Sequence, residues 1–291
     1  MTSPFETRPR IKAFREDLIK SIPCFPNDKA TRAVLEGKHL TNLLITFIAW
    51  RLRHVRQTPR TVIGREKLAS DPRAAGLTPN LNAFLKMVED GEDLTPHLSL
   101  GAIKEGFTPA SEGRGPKESW ADKDLLLNVM GLHHFHLGLT REAKGHAVRT
   151  DEVLFASVTR DTFEIIGLFD HDAFERKDDG TLTPERKRLW SAYEALRAAN
   201  TLPGQLSVGG YNGLGVTLSS HPKAVVDAAQ EHTRIIRELE PKLDDPAYVQ
   251  GLYPADIFPK KPKLRWNYNY LDFGLLDDKA GFFGNLSKGP N

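Results

Sequence analysis

Cysteine is almost missing from this chain of 291 residues, which contains only Cys24. A single cysteine excludes an internal disulfide, and it excludes a zinc site built from several cysteines. Chains without disulfides are typical of reducing compartments. We therefore expect a cytoplasmic protein.

Long apolar runs are missing as well. The most apolar run, Leu43 to Trp50, is far shorter than the roughly 20 residues that a membrane-spanning helix needs. The chain begins Met-Thr-Ser-Pro-Phe-Glu-Thr-Arg, without the apolar stretch after a basic start that marks a signal peptide. The sequence therefore predicts a protein that has no membrane partner.

A large net charge is also absent, but the small charge is distributed unevenly. The whole chain carries +2, whereas residues 1–67 contain 14 Lys/Arg and 6 Asp/Glu and so carry +8. A basic region of this kind could attract phosphates or an acidic protein partner. The alternative is a solvated helical surface without a partner.

Helical patterns dominate the first third of the chain. Asn27 or Asp28 can cap a first helix, and residues 40–52 are apolar on nearly all sides, as in a buried helix. A further helix is predicted to begin at Thr78, which precedes a proline, and to end at Gly91.

A stretch rich in glycine and proline, residues 106–118, predicts a linker. We therefore expect two domains. The first is a helical, basic N-terminal region over residues 1–105, and the second is a catalytic domain over residues 119–291.

Three segments of the second domain predict strands, at residues 131–139, 152–159 and 162–170. The last two are dense in β-branched and aromatic residues, and only Arg160-Asp161 separates them, which is typical of a tight hairpin. We expect a small antiparallel meander over about residues 131–171.

Helical patterns return after the meander, at Thr183-Pro184 and at Ser220-His221-Pro222. We expect these helices to pack on the meander. Residues 264–270 alternate apolar and polar side chains, which predicts one more half-buried strand. Helices around a small, mainly antiparallel sheet make an α+β fold.

Histidine is concentrated at the centre of the chain. Three of its ten histidines lie in Leu132-His133-His134-Phe135-His136-Leu137, and a fourth, His171, follows the third predicted strand. Histidine is the side chain that most readily serves as acid, base or metal ligand near neutral pH. These segments are therefore the best candidate site.

Strand geometry predicts how these histidines group. Side chains alternate along a strand, so His134 and His136 share one face, which we expect to be exposed. His171 has the parity of Phe163, Ile165 and Phe169, and a meander can return the end of its third strand to its first. We expect His134, His136 and His171 to converge.

One chemistry that suits such a cluster is metal binding. A His-x-His pair on a strand, joined by a remote histidine or aspartate, can hold Zn²⁺ or another divalent ion. The ligands would be drawn from His134, His136, Asp170 and His171. This alternative predicts a metal-dependent hydrolase.

The other chemistry is RNA cleavage without a metal or any other cofactor. A base takes the proton of the 2′-hydroxyl, an acid protonates the leaving 5′-oxygen, and a cation stabilises the phosphate. His134, His136 and His171 could transfer the protons, and Arg141 and Arg149 of the connecting loop could bind the phosphate.

The order of these segments resembles the core of RelE/HigB-type toxins. The resemblance covers about 40 residues, in Leu132 to Gly138, Arg149 to Ala156 and Phe163 to His171. It implies the barnase–EndoU–colicin–RelE group of metal-independent ribonucleases, and Arg149 is the residue whose position matches best. Asp170-His171-Asp172 departs from the lysine pair of that pattern.

The leading hypothesis is a metal-independent endoribonuclease of bacterial toxin or phage-defence type. Its substrate is RNA, its predicted catalytic residues are His134, His136, Arg149 and His171, and its basic N-terminal region could bind an antitoxin. The metal-dependent hydrolase stays open. So does a non-catalytic regulator that binds nucleic acid or protein.

Two further patterns predict core positions. His232 lies on an apolar helix face, where a hydrogen-bonded core histidine is the favoured interpretation. Lysines 260, 261 and 263 precede Trp266, Tyr268 and Tyr270, and basic and aromatic residues together are typical of nucleic-acid surfaces. Because these aromatics alternate, we favour a core strand for them.

Overall fold

A computed structural model of the chain describes residues 4–109, 126–127, 130–143, 145–175, 179–199, 221–254 and 256–290. Its α-helices are α1 (Pro9–Ser21), α2 (Lys29–Glu36), α3 (Leu40–Arg51), α4 (Glu66–Ala69), α5 (Thr78–Asp90), α6 (Leu100–Lys104), α7 (Pro184–Ala199), α8 (Lys223–Leu239) and α9 (Pro246–Leu252). Short 3-10 turns lie at Pro4–Thr7, Pro72–Leu77, Thr95–His97, His171–Phe174 and Lys242–Asp244.

The strands form two sheets. They are β1 (Thr61–Ile63), β2 (Leu132–His136), β3 (Glu152–Val158), β4 (Thr162–Asp170), β5 (Arg265–Asn269), β6 (Asp272–Asp277) and β7 (Phe282–Ser287). The central sheet has the order β1-β4-β3-β2, and the terminal sheet has the order β5-β6-β7. Every pair is antiparallel except β1 with β4. The α+β class and the helical N-terminal region are confirmed.

Local signals explain where several elements begin and end. The Asp28 side chain accepts a hydrogen bond from Thr31 N–H and caps α2, so the second of the two predicted caps is used. Helix α5 runs from Thr78 to Asp90, and Gly91 ends it with a φ of 73°, which favours glycine. These bounds agree with the prediction.

The predicted meander is present as β2, β3 and β4. In the β3–β4 hairpin Val158 pairs with Phe163, and Glu152 pairs with Asp170 at the other end. Strand β2 stops at His136, before the predicted end at residue 139. At Gly138 a Cβ would lie only 2.1 Å from the carbonyl oxygen of Val148, so the two chains approach closely there.

The chain divides into two compact units that are interleaved in sequence. The terminal unit comprises residues 1–52, 105–109 and 225–290, and the central unit comprises residues 53–104 and 110–224, as far as they are described. The predicted domains, residues 1–105 and 119–291, are each continuous in sequence and so differ from these units. A glycine- and proline-rich stretch marks a loop locally, but it does not indicate which distant segments pack together. Residues 110–118 of that linker lie outside the described residues.

The central sheet has an apolar cluster on each face. Phe135, Leu154 and Phe163 pack on one face with Phe84 of α5. The opposite face carries a second cluster, formed by Leu132, Val153, Phe155, Phe169, Phe174, Leu189 and Tyr193. Burying a phenylalanine or leucine side chain contributes about 1.5–3 kcal/mol, so both faces stabilise the sheet.

Only one of the two C-terminal helices expected on the meander packs there. Helix α7 covers the central sheet through Leu189 and Tyr193. Helix α8 instead packs in the terminal unit, where the His232 ring stacks 4.5 Å from the ring of Phe273 in β6. The expectation that helix 223–239 packs on the meander was therefore wrong.

The predicted strand at residues 264–270 is present as β5, and its alternation has the predicted cause. Trp266 is fully buried, and the ring centroid of Tyr268 lies 4.9 Å from that of Phe47 in α3. Strands β1, β6 and β7 were not predicted. Glycines 274 and 284 interrupt the apolar pattern of β6 and β7, and glycine is depleted in strands.

Acidic residues of the C-terminal half pair with part of the basic N-terminal surplus. Arg8 and Arg10 each donate from Nε to Glu240 at 3.1 Å, and each also binds Asp244. Arg15 donates to Glu6 at 2.8 Å. Glu240 and Asp244 therefore offset two of the eight net positive charges, whereas the Arg15–Glu6 pair lies within residues 1–67 and is already counted in that net charge.

No helix among the described residues combines the length and apolarity that crossing a membrane requires.

Candidate functional site

The alternation predicted for β2 is confirmed by the two apolar clusters. Phe135 belongs to the cluster that contains Phe84, whereas Leu132 belongs to the cluster that contains Phe155 and Phe174. His134 and His136 have the parity of Leu132, and the His134 ring lies 4.8 Å from that of Phe174. The two histidines therefore share one face, and His133 lies on the other.

His171 joins this pair from the end of β4. Its ring centroid lies 5.9 Å from that of His136, and the His136 and His134 rings lie 6.4 Å apart. Val153 of β3 pairs with His136 on one side and with Phe169 on the other, so His171 reaches across the start of β3. The described structure brings His134, His136 and His171 together, and we call them the histidine cluster.

A bulge in β4 places His171 on this face. The β3–β4 register pairs Ala156 with Ile165 but Phe155 with Gly167, so Ile166 is an extra residue. As a result Phe163 and Ile165 lie in one apolar cluster and Phe169 in the other. The predicted common parity of these three residues was wrong.

Gly167 permits the bulge. Its φ is 153°, and a Cβ at this position would lie 3.2 Å from the Phe169 ring. A lone glycine inside a strand pattern is the signal that could have predicted the bulge.

The histidine cluster is more enclosed than predicted. His136 is only 4% exposed, so the expectation of an exposed face was wrong for this residue. His134 and His171 are half-buried. The Phe174 ring lies 4.8 Å from that of His134 and 6.1 Å from that of His171, which gives the cluster an apolar wall.

The turn that presents His171 is fixed by hydrogen bonds at both ends. The Asp170 carboxylate caps the turn by accepting from Asp172 N–H at 2.9 Å. Thr183 Oγ1 donates to the Asp172 carbonyl at 2.7 Å, and the buried Arg186 donates to the carbonyl of Phe174 at 3.2 Å. The Asp170 carboxylate, which was a predicted metal ligand in the metal-dependent alternative, therefore caps the turn that carries His171.

His97 is a residue of the site that the sequence analysis missed. Its Nδ1–H donates to the carbonyl oxygen of His136 at 2.7 Å, and its side chain is 6% exposed. Burial lowers the pKa of His97, so the imidazole is neutral at pH 7. Because a carbonyl accepts, the proton lies on Nδ1.

The turn that carries His97 also supports the basic loop. The Pro96 carbonyl accepts from Ala147 N–H at 2.9 Å. The sequence signal is Thr95-Pro96-His97, since proline near the start of such a turn is well tolerated. His97 therefore holds the end of β2, where His136 lies, from outside the sheet.

Arg149 lies in this loop, just before β3, and is exposed. Its neighbours hold the backbone in place, because Val148 N–H donates to the Thr140 carbonyl and Leu137 N–H donates to Thr150 Oγ1. No ion pair or ring contact joins Arg149 to the histidine cluster in the described chain. Arg141 is exposed in the same loop.

Metal binding and cavities add two observations. Among the described residues, no three histidine, cysteine or acidic side chains are arranged to hold a metal ion. A cleft of about 490 Å³ lies elsewhere in the central unit, where Leu68 of α4 faces Leu81 and Leu85 of α5. None of the predicted site residues lines this cleft.

Comparison of the chain with protein families, with curated proteins and with solved structures found no match.

Proposed function

We propose that the central unit cleaves RNA without a metal, with the histidine cluster as its acid and base. The observation that carries this proposal is the convergence of His134, His136 and His171 on one sheet face, with ring centroids 6.4 and 5.9 Å apart. Two imidazoles can each form a hydrogen bond of about 2.8 Å to a different oxygen of one phosphate. Their ring centroids are then on the order of 6–8 Å apart. The observed separations suit that task.

The proposed reaction balances with these groups alone. One imidazole accepts the proton of the 2′-hydroxyl as O2′ attacks phosphorus, and an imidazolium protonates O5′ as the P–O5′ bond breaks. His136 lies between the other two rings and has its backbone fixed by His97, so it is the first choice for one of these roles. His171, on the opposite side of Val153, is the first choice for the other.

Arg149 is the proposed phosphate ligand. Arg149 is exposed and has no ion-pair partner among the described residues. It lies just before the start of β3, and the start of β3 pairs with the His136 end of β2. A planar guanidinium can donate two parallel hydrogen bonds to phosphate oxygens. The resemblance to RelE/HigB-type toxins implies the same role for this residue.

The proposed setting is the cytoplasm, and the proposed biological role is that of a toxin or phage-defence ribonuclease. The only cysteine, Cys24, is buried and free, which suits a reducing compartment. In this proposal the exposed basic residues of the N-terminal region are available to an antitoxin or to another protein partner.

The test is cleavage of a fluorogenic single-stranded RNA by the purified chain, with and without excess EDTA. Cleavage that persists in EDTA and disappears in His136→Gln supports the proposal. Cleavage that EDTA abolishes and Zn²⁺ or Mn²⁺ restores would instead favour the metal-dependent hydrolase with His134, His136, His171 and Asp170. No cleavage by any preparation would leave the non-catalytic regulator as the better hypothesis. The His136→Gln protein, purified in parallel, controls for contaminating nuclease.

A further inference from the structure

Aromatic rings and lysines meet on a surface of the terminal unit, but not the rings that the sequence pattern indicates. Trp266 is fully buried, and Tyr268 packs against Phe14 and Phe47. These rings stabilise the core and are not available to a ligand. The lysines that precede them in sequence lie beside other aromatic residues.

Tyr253, Phe258 and Phe282 form that second group. The rings of Tyr253 and Phe282 lie 4.5 Å apart with a 31° angle between their planes, and Phe258 meets Tyr253 edge to face at 5.4 Å. Phe258 is 39% exposed, and its neighbour Ile257 is 37% exposed. An aromatic group with one ring open to solvent results.

A buried carboxylate fastens the lysine segment to these rings. Asp277 is 1% exposed, and one of its oxygens accepts both from the Tyr253 hydroxyl and from Lys263 N–H, each at 2.8 Å. Its other oxygen accepts from the backbone of Lys279 and Ala280. The shared oxygen sets the position of the lysines relative to Tyr253.

The three lysines of this segment are exposed and held on a stiff chain. Pro259 and Pro262 flank Lys260 and Lys261, and proline restricts the backbone. None of the three lysines, Lys260, Lys261 and Lys263, forms an ion pair within the part of the chain that the structure describes. Asp256 offsets one of the three charges, which leaves residues 256–263 with a charge of +2.

We propose that Tyr253, Phe258 and Phe282, together with Lys260, Lys261 and Lys263, form an aromatic–lysine surface that binds single-stranded RNA. Lysines attract the phosphates of any nucleic acid, and an exposed ring offers a platform on which a base can stack. Three of the four apolar side chains here are aromatic, which favours flat bases over lipid chains. The choice of RNA rests on the proposed function, whereas the geometry of the surface does not.

The test measures binding to labelled 12-mer oligonucleotides that the proposed chemistry leaves uncut, a single-stranded DNA and a 2′-O-methyl RNA. Three phosphate contacts predict a log–log salt slope of about −2, so affinity should fall on the order of 10–20-fold between 50 and 200 mM salt. The triple variant Lys260→Ala/Lys261→Ala/Lys263→Ala should lose most of that slope. Phe258→Leu keeps an apolar side chain but no ring, and it should weaken binding roughly tenfold.

A charge-matched control comes from the same unit. Lys12, Lys20 and Lys29 are exposed, and none of them forms an ion pair with another described residue. The variant Lys12→Ala/Lys20→Ala/Lys29→Ala should bind the oligonucleotides as the unchanged protein does. Equal losses in both triple variants would overturn the proposal, because net charge alone would then account for binding.

Other occupants are further outcomes of the experiment. Binding of anionic vesicles or of an acidic peptide that depends on Lys260, Lys261 and Lys263, without oligonucleotide binding, would overturn the proposal. His136→Gln separates this inference from the proposed function, since it should bind both oligonucleotides normally while cleavage is lost. If oligonucleotide binding depends on this surface but no RNA is cleaved, the proposed ribonuclease function is refuted and the proposed binding surface stands. If RNA is cleaved but binding does not depend on the surface, the binding surface is refuted and the ribonuclease function stands.

Discussion

The imidazole ring centroids of His136 and His171 lie 5.9 Å apart, although β3 separates β2, which carries His136, from β4, which His171 follows. Val153, the residue between them in the ladder, is small and fully buried, and the turn after β4 carries His171 over it. This relationship is the basis of the site, and it depends on the bulge at Gly167 and on the bond from His97.

Replacing His136 by glutamine should remove cleavage and leave the fold. Loss of a general acid or base typically costs 10²–10⁴-fold in rate. Glutamine has a similar size and keeps polar atoms, which matters because His136 is buried. We expect kcat/KM to fall within that range in a fluorogenic RNA assay, with little change in Tm.

The control for this variant is His39→Gln, at a histidine whose side chain is 59% exposed. It should cleave RNA at the normal rate. If His136→Gln stays within a few fold of the unchanged protein, the assignment of the site is wrong.

Arg149→Lys should damage cleavage almost as much as Arg149→Ala. Lysine keeps the charge but not the planar fork that makes paired hydrogen bonds to phosphate. Hydrogen bonds to charged groups contribute about 1.5–3 kcal/mol, so a loss of roughly 10- to 100-fold in kcat/KM is expected. Single-turnover kinetics with a short RNA would measure it.

Arg141→Lys is the matched control for this position, since Arg141 is exposed in the same loop. It should have a smaller effect. Equal rates for Arg149→Lys and the unchanged protein would show that Arg149 acts only as a surface charge.

Gly167→Ala should lower activity as well as stability. The new Cβ would lie 3.2 Å from the Phe169 ring, at a φ that favours glycine. Backbone strain of this kind costs of order 1–3 kcal/mol. Relief by a shift of β4 would move His171 away from His136, so cleavage should fall further than the fraction of folded protein.

Gly180→Ala separates these two effects. Gly180 has a φ of 78°, but no atom of the described residues lies within 4 Å of its Cβ position. This variant should lose some stability, measured by urea unfolding, and keep its activity per folded molecule. Equal activity losses in the two variants would argue against a role for the bulge.

Stability should decrease as the pH falls from about 6.5 to about 4, in part because of His232. Burial lowers the pKa of His232 to about 4, and its Nδ1 shares a 2.7 Å hydrogen bond with the Tyr268 hydroxyl. In the unfolded chain His232 binds a proton with a pKa near 6.5, whereas in the folded chain it does so only near pH 4. The stabilisation is therefore complete above pH 6.5, and up to about 3 kcal/mol is lost towards pH 4.

Urea unfolding of the unchanged protein and of His232→Asn between pH 4 and 8 would measure this term. The variant should be less stable at pH 7 and should lose part of the pH dependence. The variant should still lose stability as the pH falls, because burial also lowers the pKa of His97. An unaltered pH profile in His232→Asn would contradict the assignment, whereas cleavage of RNA should be little affected.

The core role predicted for His232 is confirmed, because the residue is 4% exposed and hydrogen-bonded to Tyr268. Helix α5, the β3–β4 hairpin and β5 were predicted well for the same reason. Each is defined by local periodicity and by a cap or turn residue next to it. Such signals act over a few residues, and tertiary packing here agrees with them.

The terminal sheet shows where local signals end. Strands β6 and β7 contain glycines that weaken their strand pattern, but these glycines let the backbones approach closely. A Cβ on Gly274 would lie 2.1 Å from the Gly284 carbonyl oxygen. A residue that disfavours a strand in isolation is required once two strands meet at that distance.

By itself, the sequence determined the fold class, the ends of α3 and α5 and the shared face of His134 and His136, because periods of 3.6 and 2 residues are local properties. Only the tertiary structure decided that the bulge at Gly167 carries His171 to His136, that His97 supports β2, and that His136 is buried. It also decided that Asp277 joins the backbone of Lys263 to Tyr253. These facts depend on register and on long-range contacts, and no short window of sequence contains them.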